Sequence, residues 1–379
     1  MDITPLAINP RITRLNHRIE SIANTAVRTR DRLLSQLHLG GRKGYYDDEH
    51  YEFEGGEQHT LRTKHYDKSL RLLWKAEEHG AWSTFRDCTK DEQMLQGMAE
   101  KAMNKSEKAM RAKLNKAAFS ESLNQHYTQR QKQAIVNVLS LIGHGEAYAW
   151  LVSTELLNEV RSTGGRAALT MQVLEEAKHF VVLRELIQAF DCPVPRLNAW
   201  EYTLLERIYK SDGLEKFFGM NVVVEGFALS LFGMMSHLPG LEILKLFHRD
   251  ESRHTALPGN YLGEFPLSWW QRNNPTNRTA RLLTILAALP VLLHVEEDLA
   301  VLGIDVFDLA GSLGRKVLKL SERVGFNLPM SNEQAGALLN AVFNAYCKNT
   351  RKDFTPRNFL MSETTVGEEE LGLEQELLM

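Results

Sequence analysis

Glu175-Glu-Ala-Lys-His179 and Asp250-Glu-Ser-Arg-His254 are two pentapeptides of one pattern: an acid, a glutamate, a small residue, a base and a histidine. A step of three residues turns an α-helix by about 300°, so the glutamate and histidine of each pentapeptide share a helix face. A carboxylate and an imidazole that converge from one helix face are half of a transition-metal site. The two pentapeptides therefore predict two helices that meet at a metal site.

Each pentapeptide is preceded by a helical stretch that carries one further glutamate. Glu146 lies ahead of the turn Ser162-Thr-Gly-Gly165, and Glu225 lies ahead of the turn Leu238-Pro-Gly240. Each lies about as far before its turn as the pentapeptide glutamate lies after it, roughly 20 Å at 1.5 Å per residue. Two helix hairpins joined by a crossover over residues 191–213 would bring all four carboxylates to one level. The sequence therefore predicts an all-α four-helix core.

The candidate metal ligands are six side chains on otherwise apolar helix faces: Glu146, Glu176, His179, Glu225, Glu251 and His254. One Glu-x-x-His match is expected by accident in a chain with 13 histidines, but two matches that each have a partner glutamate are not. Burying four unpartnered carboxylates would cost many kcal/mol, and two divalent cations would balance their charge. The alternative is a pair of coincidental, salt-bridged helix hairpins.

The neighbours of these ligands form a predicted outer layer. Glu175 and Asp250 are placed to accept the free N–H of a metal-bound histidine on the opposite hairpin, and Lys178 and Arg253 would neutralise the two acids. His248 is a candidate outer residue one turn before a ligand. Surface charge or core packing is the alternative for each. An apolar substrate pocket is expected from residues whose alternative role is core packing: Trp150, Leu183, Val222, Phe227 and Leu229.

The rest of the chain divides around a core at residues 121–260. Residues 1–120 are predicted to form an N-terminal helical extension. Residues 261–355 contain apolar helices that would pack on the core, and residues 356–379 are expected to form a flexible acidic tail.

Capping and breaking residues set the expected helix ends. Asp305 is a predicted N-cap, and Gly325 is a predicted stop for the same helix. The helix with the second pentapeptide is expected to stop before Pro258-Gly259, because proline breaks helices. Residues 272–278 are expected to form a loop.

The composition is that of an ordinary globular protein. A formal net charge of −3 gives no attraction to nucleic acid or anionic membranes, and three scattered cysteines suggest neither disulfides nor a thiolate site. The start of the chain lacks a signal-peptide pattern. The most apolar run, Leu282–Leu293, is too short to span a bilayer. A cytoplasmic location without a membrane span is expected.

Three motifs resemble the ferritin-like di-iron carboxylate superfamily, on its oxygen-activating side, which includes the small subunit of ribonucleotide reductase. Gly145-Glu-Ala-Tyr148 and residues 172–179 are similar to ligand helices of bacterial multicomponent hydroxylases, and residues 249–254 are similar to the second ligand motif of the group. A segment from Leu72-Leu-Trp74 to Trp82-Ser83 is more weakly similar to a Trp-containing segment of reductase-like proteins. The resemblance implies that the six candidate ligands hold two irons.

The sequence also departs from individual members of this superfamily. Leu183 occupies the position of the reductase radical tyrosine, so a reductase radical subunit is not expected. Ala228 and Leu229 stand where many hydroxylases carry a threonine. Phe247 stands where the arylamine N-oxygenases carry an extra histidine, and His248 is one place off.

The expected function is that of an O2-dependent di-iron oxidase or oxygenase with a small, partly apolar organic substrate. Two iron ions, or a manganese–iron pair, would be the cofactor and O2 the co-substrate. The sequence has neither a GxGxxG loop nor a cysteine cluster, so electrons are expected from a separate ferredoxin or reductase. A homodimer is compatible with the sequence. The rivals are a ferritin- or rubrerythrin-like iron store or peroxide scavenger, and a non-catalytic helical scaffold.

Overall fold

The chain is built from helices joined by short turns. The computed structural model describes residues 4–36, 117–160 and 163–361, and none of these residues forms a strand. The all-α class predicted from the sequence is therefore confirmed for this part of the chain. The helices are α1 (Pro10–Gln36), α2 (Ala117–His126), α3 (Gln129–Leu156), α4 (Thr163–Ala189), α5 (Ala199–Tyr209), α6 (Glu215–Phe217), α7 (Glu225–Met235), α8 (Leu244–Glu264), α9 (Trp269–Asn273), α10 (Pro275–His294), α11 (Glu296–Val301), α12 (Val306–Val324) and α13 (Asn332–Thr350).

A π-helical segment, Phe218–Val224, joins α6 to α7, and a 3₁₀ turn, Phe359–Met361, follows α13. The sequence predicts one regular helix from residue 214 to residue 237. The π segment was not predicted, because its wider turn leaves no mark on the apolar pattern of the residues. Such segments are rare and are frequent at functional sites.

Side-chain caps fix several helix starts. The Thr128 hydroxyl accepts the backbone N–H of Gln131 in a capping box at the start of α3. The Asp305 carboxylate accepts the backbone N–H of Phe307 at the start of α12, and Gly325 ends that helix with a φ of 76°. The predicted cap and stop of this helix are confirmed.

The predicted end of α8 was wrong, because the helix runs through Pro258 to Glu264. A proline has no N–H, so the carbonyl four residues earlier, that of His254, loses its helical partner. The side-chain amide of Asn221, in the π segment, donates to this carbonyl at 2.9 Å. The replacement bond lets the helix continue.

The loop expected at residues 272–278 was also wrong. The short helix α9 ends at Asn273, and α10 begins at Pro275 directly after an N-cap at Asn274. Proline is favoured at the first position of a helix, where its missing N–H would have had no helical partner.

The ligand-bearing helices pack as two pairs that also contact each other. α3 packs along α4, and α7 packs along α8. α4 contacts α8, and α3 contacts the π segment, so the four helical stretches close a ring around a buried interior. α5 and α10 pack against each other on the outside of this ring, and α1 lies on both of them. α12 packs against α7 and α8.

Two of the described helical stretches, Gln129–Leu156 and Glu215–Met235, are long and apolar enough to cross a membrane by length and composition alone. The apolar windows that satisfy this test are 78% and 89% buried inside the protein. Core helices pass the same test when they pack against other helices, so their apolar character is accounted for by the interior of the protein.

Part of each terminal prediction lies outside the described residues. The helix predicted over residues 66–82, with the Trp74 segment, lies outside them, and so do residues 91–116 of the helix predicted over residues 91–120. The tail from residue 362 lies outside them as well. The first residues of the expected tail pack on the protein, since Phe359 is fully buried against α12.

Candidate metal centre

The six candidate ligands converge from four helical stretches. Glu146 lies on α3, Glu176 and His179 on α4, Glu225 at the start of α7, and Glu251 and His254 on α8. Their ligand atoms form two groups, within each of which all atoms lie within 4.8 Å of one another. One group holds Glu146 and His179, the other holds Glu225 and His254, and both contain Glu176 and Glu251.

The two histidines use equivalent ring atoms. Nδ1 of His179 lies 3.3 Å from Glu146 Oε2 and 2.9 Å from Glu251 Oε1. Nδ1 of His254 lies 2.9 Å from Glu176 Oε1 and 3.0 Å from Glu251 Oε2. Both imidazoles therefore direct Nδ1 at the shared carboxylates, and the site has approximate two-fold character.

The other ring nitrogen of each histidine contacts an acid on the opposite helix. Nε2 of His179 lies 3.0 Å from Asp250 Oδ2, and Nε2 of His254 lies 3.0 Å from Glu175 Oε2. An ionised carboxylate only accepts hydrogen bonds, so these contacts favour a proton on Nε2 and leave Nδ1 free to bind a metal.

Two cations hold the outer acids in place. Lys178 Nζ lies 2.7 Å from Asp250 Oδ2. The Arg253 guanidinium contacts both Glu175 and Asp250, the latter at 2.7 Å. The four outer residues therefore form one charged network between α4 and α8, on the side of the site where the histidine Nε2 atoms lie.

A buried amide pair, Gln172 and Asn221, completes the surroundings of the carboxylates. Nε2 of Gln172 donates to Glu176 Oε1 at 3.1 Å and to Glu225 Oε1 at 3.2 Å. Asn221 Nδ2 donates to Gln172 Oε1 at 2.9 Å, besides its bond to the His254 carbonyl. Neither residue was predicted to have a role, since a lone buried amide has no characteristic spacing in the sequence.

Aromatic rings pack against the first histidine. Phe247 stacks on His179, with ring centroids 4.3 Å apart and planes at 19°. Phe232 meets Phe247 edge-on at 5.2 Å. Phe247 thus fills the position at which a further histidine was considered. His248 lies in neither ligand group, and its Nδ1 is 2.8 Å from the backbone carbonyl oxygen of Leu229.

Burial and the charges of their neighbours shift the pKa values of the carboxylates and histidines. Burial raises the pKa of Glu146 well above its ordinary value, with help from the charge of Glu251. Burial likewise raises the pKa of Glu225, with help from the charges of Glu176 and Glu251. Burial alone would raise the pKa of Glu176, but the charge of His254 and hydrogen bonds from both histidines hold it well below its ordinary value.

The pKa values of the two histidines are raised, whereas burial alone lowers the pKa of an imidazole. Burial alone would lower the pKa of His179, but Glu146 and the hydrogen bond to Asp250 raise it well above its ordinary value. Burial alone would also lower the pKa of His254, but the charges of Glu176 and Glu251 raise it well above its ordinary value. The surroundings therefore favour the protonated forms of the two histidines and of Glu146 and Glu225.

The residues present fit a pair of metal ions. The four carboxylates and two histidines are at most 2% exposed. Glu146 Oε1 and Glu176 Oε2 are buried without a hydrogen-bond partner among the described residues. Such atoms are costly unless a cation or donor satisfies them. Carboxylates with imidazoles are a donor set typical of iron, manganese or zinc.

The chain matches no protein-family model, no curated protein and no solved structure. Its side chains are therefore the basis on which its chemistry can be inferred.

A narrow apolar cavity lies beside the centre, between α3, α5, α7 with its π segment, and α10. Glu146 and Glu225 line it, whereas the shared carboxylates and the histidines do not. The volume of the cavity that is open to the centre of a water molecule is about 40 Å³. At about 10–15 Å³ for each water, the cavity holds about three or four waters or one compact ligand.

The cavity is lined differently from the pocket that the sequence predicts. Of the five predicted residues only Phe227 lines it. Trp150 is 41% exposed at the surface, and Leu183, Val222 and Leu229 are buried in the helix packing. The helix pattern indicated which residues are apolar, but the position of the cavity depends on α5 and α10, which pack from outside the ligand-bearing helices.

Proposed function

We propose that the chain is an O2-dependent di-iron oxidase or oxygenase with a ferritin-like four-helix core, acting on a small organic substrate. One observation carries the proposal: two donor groups, each with its own glutamate and histidine, share Glu176 and Glu251. A site for a single ion would need only one such glutamate–histidine group. Two shared carboxylates between two half-sites are the arrangement used by di-metal carboxylate bundles.

The six residues would hold two irons, which supply the capacity to reduce O2 and oxidise an organic substrate. Asp250 and Glu175 fix the orientation of the two histidines through Nε2. Gln172 holds Glu176 and Glu225 in register across the site. The apolar cavity reaches Glu146 and Glu225, so small molecules approach from their side. The electrons come from a separate donor protein.

Reaction of the iron-loaded protein with O2 tests the proposal. Fe(II) is added without oxygen, O2 is then admitted, and O2 uptake and near-ultraviolet absorption are recorded. We expect both for the wild type and for the control variant Glu264→Gln, an exposed acid at the end of α8. Glu176→Ala should abolish both. An unreactive wild type, or a reactive Glu176→Ala variant, would refute the proposal.

The rival functions predict different outcomes. An iron store would assemble into a large shell, which size-exclusion chromatography detects, whereas the proposal expects a small assembly. A helical scaffold would purify without metal and would not bind it on titration. The scaffold gives no role to a cavity that reaches both unshared carboxylates.

A further inference from the structure

The cavity beside the metal centre also touches a buried acid that the proposed function does not use. Glu201 lies in the first turn of α5, outside the ligand-bearing helices, and is 4% exposed. It lines the same cavity as Glu146 and Glu225. The rest of the lining is almost entirely apolar, with Leu141, Leu205, Val223 and Leu292 among its residues.

The carboxylate of Glu201 is only loosely partnered within the described residues. Asn198 Nδ2 donates to Oε2 at a long 3.3 Å, and His144 Nδ1 lies 3.4 Å from Oε1. Oε1 makes no hydrogen bond of ordinary geometry there. A carboxylate that lacks a close donor in an apolar setting is costly, and it gains most from a ligand that donates to it.

The lining of the cavity therefore combines two chemically different features. Glu201 offers a hydrogen-bond acceptor that the candidate metal centre does not use, and Glu146 and Glu225 belong to that centre. The remaining walls are apolar and favour a short hydrocarbon. A molecule whose polar head binds Glu201 would place its carbon chain against these apolar walls.

We propose that the cavity binds a compact substrate with an apolar body and one hydrogen-bond-donating head, an ammonium or a hydroxyl, and that Glu201 receives the head. Burial raises the pKa of Glu201, and a cationic head would offset that effect. A carboxylate head has no proton to donate to an ionised Glu201 and is disfavoured there. That the bound chain is then oxidised rests on the proposed function, whereas the binding itself does not.

Calorimetric titration of the full chain loaded with zinc, which does not react with O2, tests this inference. The probes are n-butylamine, n-butanol and butyrate. We expect saturable binding of the amine and none of butyrate. Binding of butanol as well would identify hydrogen-bond donation as the recognised feature, and its absence would identify positive charge. Failure of both the amine and the alcohol to bind, or equal binding of butyrate, would overturn the inference.

Variants separate recognition by Glu201 from general effects. Glu201→Gln should weaken butylamine binding by about 10- to 100-fold, the range for a hydrogen bond to a charged group. Glu206→Gln on the same helix, whose side chain contacts Arg30 and Lys210, is the matched control and should bind like the wild type. Wild-type affinity in Glu201→Gln would contradict the assignment.

A cavity-filling variant covers the case in which Glu201→Gln folds poorly. Ala288 lines the cavity from α10, and Ala288→Phe should block binding with Glu201 intact.

The two proposals can fail separately. Amine binding without O2 chemistry in the iron-loaded protein would support the binding role of Glu201 and refute the proposed function. O2 chemistry without amine or alcohol binding would support the proposed function and refute the binding role of Glu201.

Discussion

At the scale of single residues, each histidine is held between a shared carboxylate and an outer acid. Each outer acid contacts the histidine of the opposite hairpin. Asp250 of α8 contacts Nε2 of His179 on α4, and Glu175 of α4 contacts Nε2 of His254 on α8. An acceptor at Nε2 fixes the imidazole ring and makes Nδ1 a better donor to metal. The two candidate half-sites are therefore linked to each other through α4 and α8.

Asp250→Asn should weaken metal binding by about 10- to 100-fold, the usual effect of removing a hydrogen-bond partner of a ligand histidine. The loss should concentrate on the site of His179, and Glu175→Gln should weaken the site of His254. Competition with a chromophoric chelator measures both affinities. A loss no greater than that of the exposed control Glu264→Gln would contradict this role.

Metal affinity should rise with pH. The raised pKa values of Glu146, Glu225, His179 and His254 mean that these groups hold protons that a metal must displace. Lowering the pH therefore favours the protonated, metal-free cluster, and affinity should fall by about tenfold per pH unit for each proton displaced. Calorimetry in buffers of different ionisation enthalpy counts the protons. Binding that releases no protons and does not vary with pH would contradict this electrostatic account.

At the scale of elements, the π segment and the proline of α8 compensate each other. Pro258 deprives the His254 carbonyl of its helical donor, and Asn221 of the π segment supplies one. The same amide also orients Gln172 toward the carboxylates. An irregular segment and an irregular helix thus meet beside one ligand.

A double-mutant cycle tests this compensation. Asn221→Ala should destabilise the metal-free protein by about 1–3 kcal/mol, since it leaves a buried carbonyl unpaired. In a Pro258→Ala background the new N–H can satisfy that carbonyl, so Asn221→Ala should cost less. Urea unfolding in the presence of a chelator measures the four free energies. Strict additivity would show that the two residues do not share the carbonyl.

Close approach of α5 to the π segment depends on a glycine. A Cβ on Gly219 would lie 2.7 Å from Cγ1 of Ile208. Gly219→Ala should therefore destabilise the protein by about 1–3 kcal/mol through overpacking. Gly263→Ala in α8 meets nothing within 4 Å and should stabilise by about 0.5–1 kcal/mol through helix propensity. Equal thermal shifts for the two variants would contradict this packing.

The helix hairpins could be predicted from the sequence because the ligand spacing and the helix period agree. The same reasoning failed at Pro258, since the donor that rescues the helix lies 33 residues away in the chain. It also missed Gln172 and Asn221, whose contacts join residues 49 apart and depend on an irregular turn. Long-range packing of this kind leaves no local pattern in the amino-acid sequence.

At the scale of the whole molecule, the outer helices shape access to the centre. α5 and α10 close the cavity from outside the four ligand-bearing stretches, and α1 covers both of them. The cavity could not be predicted from the ligand helices alone, because three of the predicted pocket residues turn into the core and Trp150 turns to the surface. Glu201 could not be predicted as a cavity residue, because its position in the lining depends on the packing of α5 against α3.

The number of bound ions tests most directly whether two metal ions share Glu176 and Glu251. Equilibrium dialysis against a divalent metal, followed by elemental analysis, counts the bound ions directly. We expect two ions per chain for the wild type, one for Glu146→Ala or Glu225→Ala, and none for Glu251→Ala. A wild type that binds one ion or none would contradict the sharing of these two carboxylates. So would the loss of both ions from Glu146→Ala or Glu225→Ala, because each of these variants removes a ligand of only one ion.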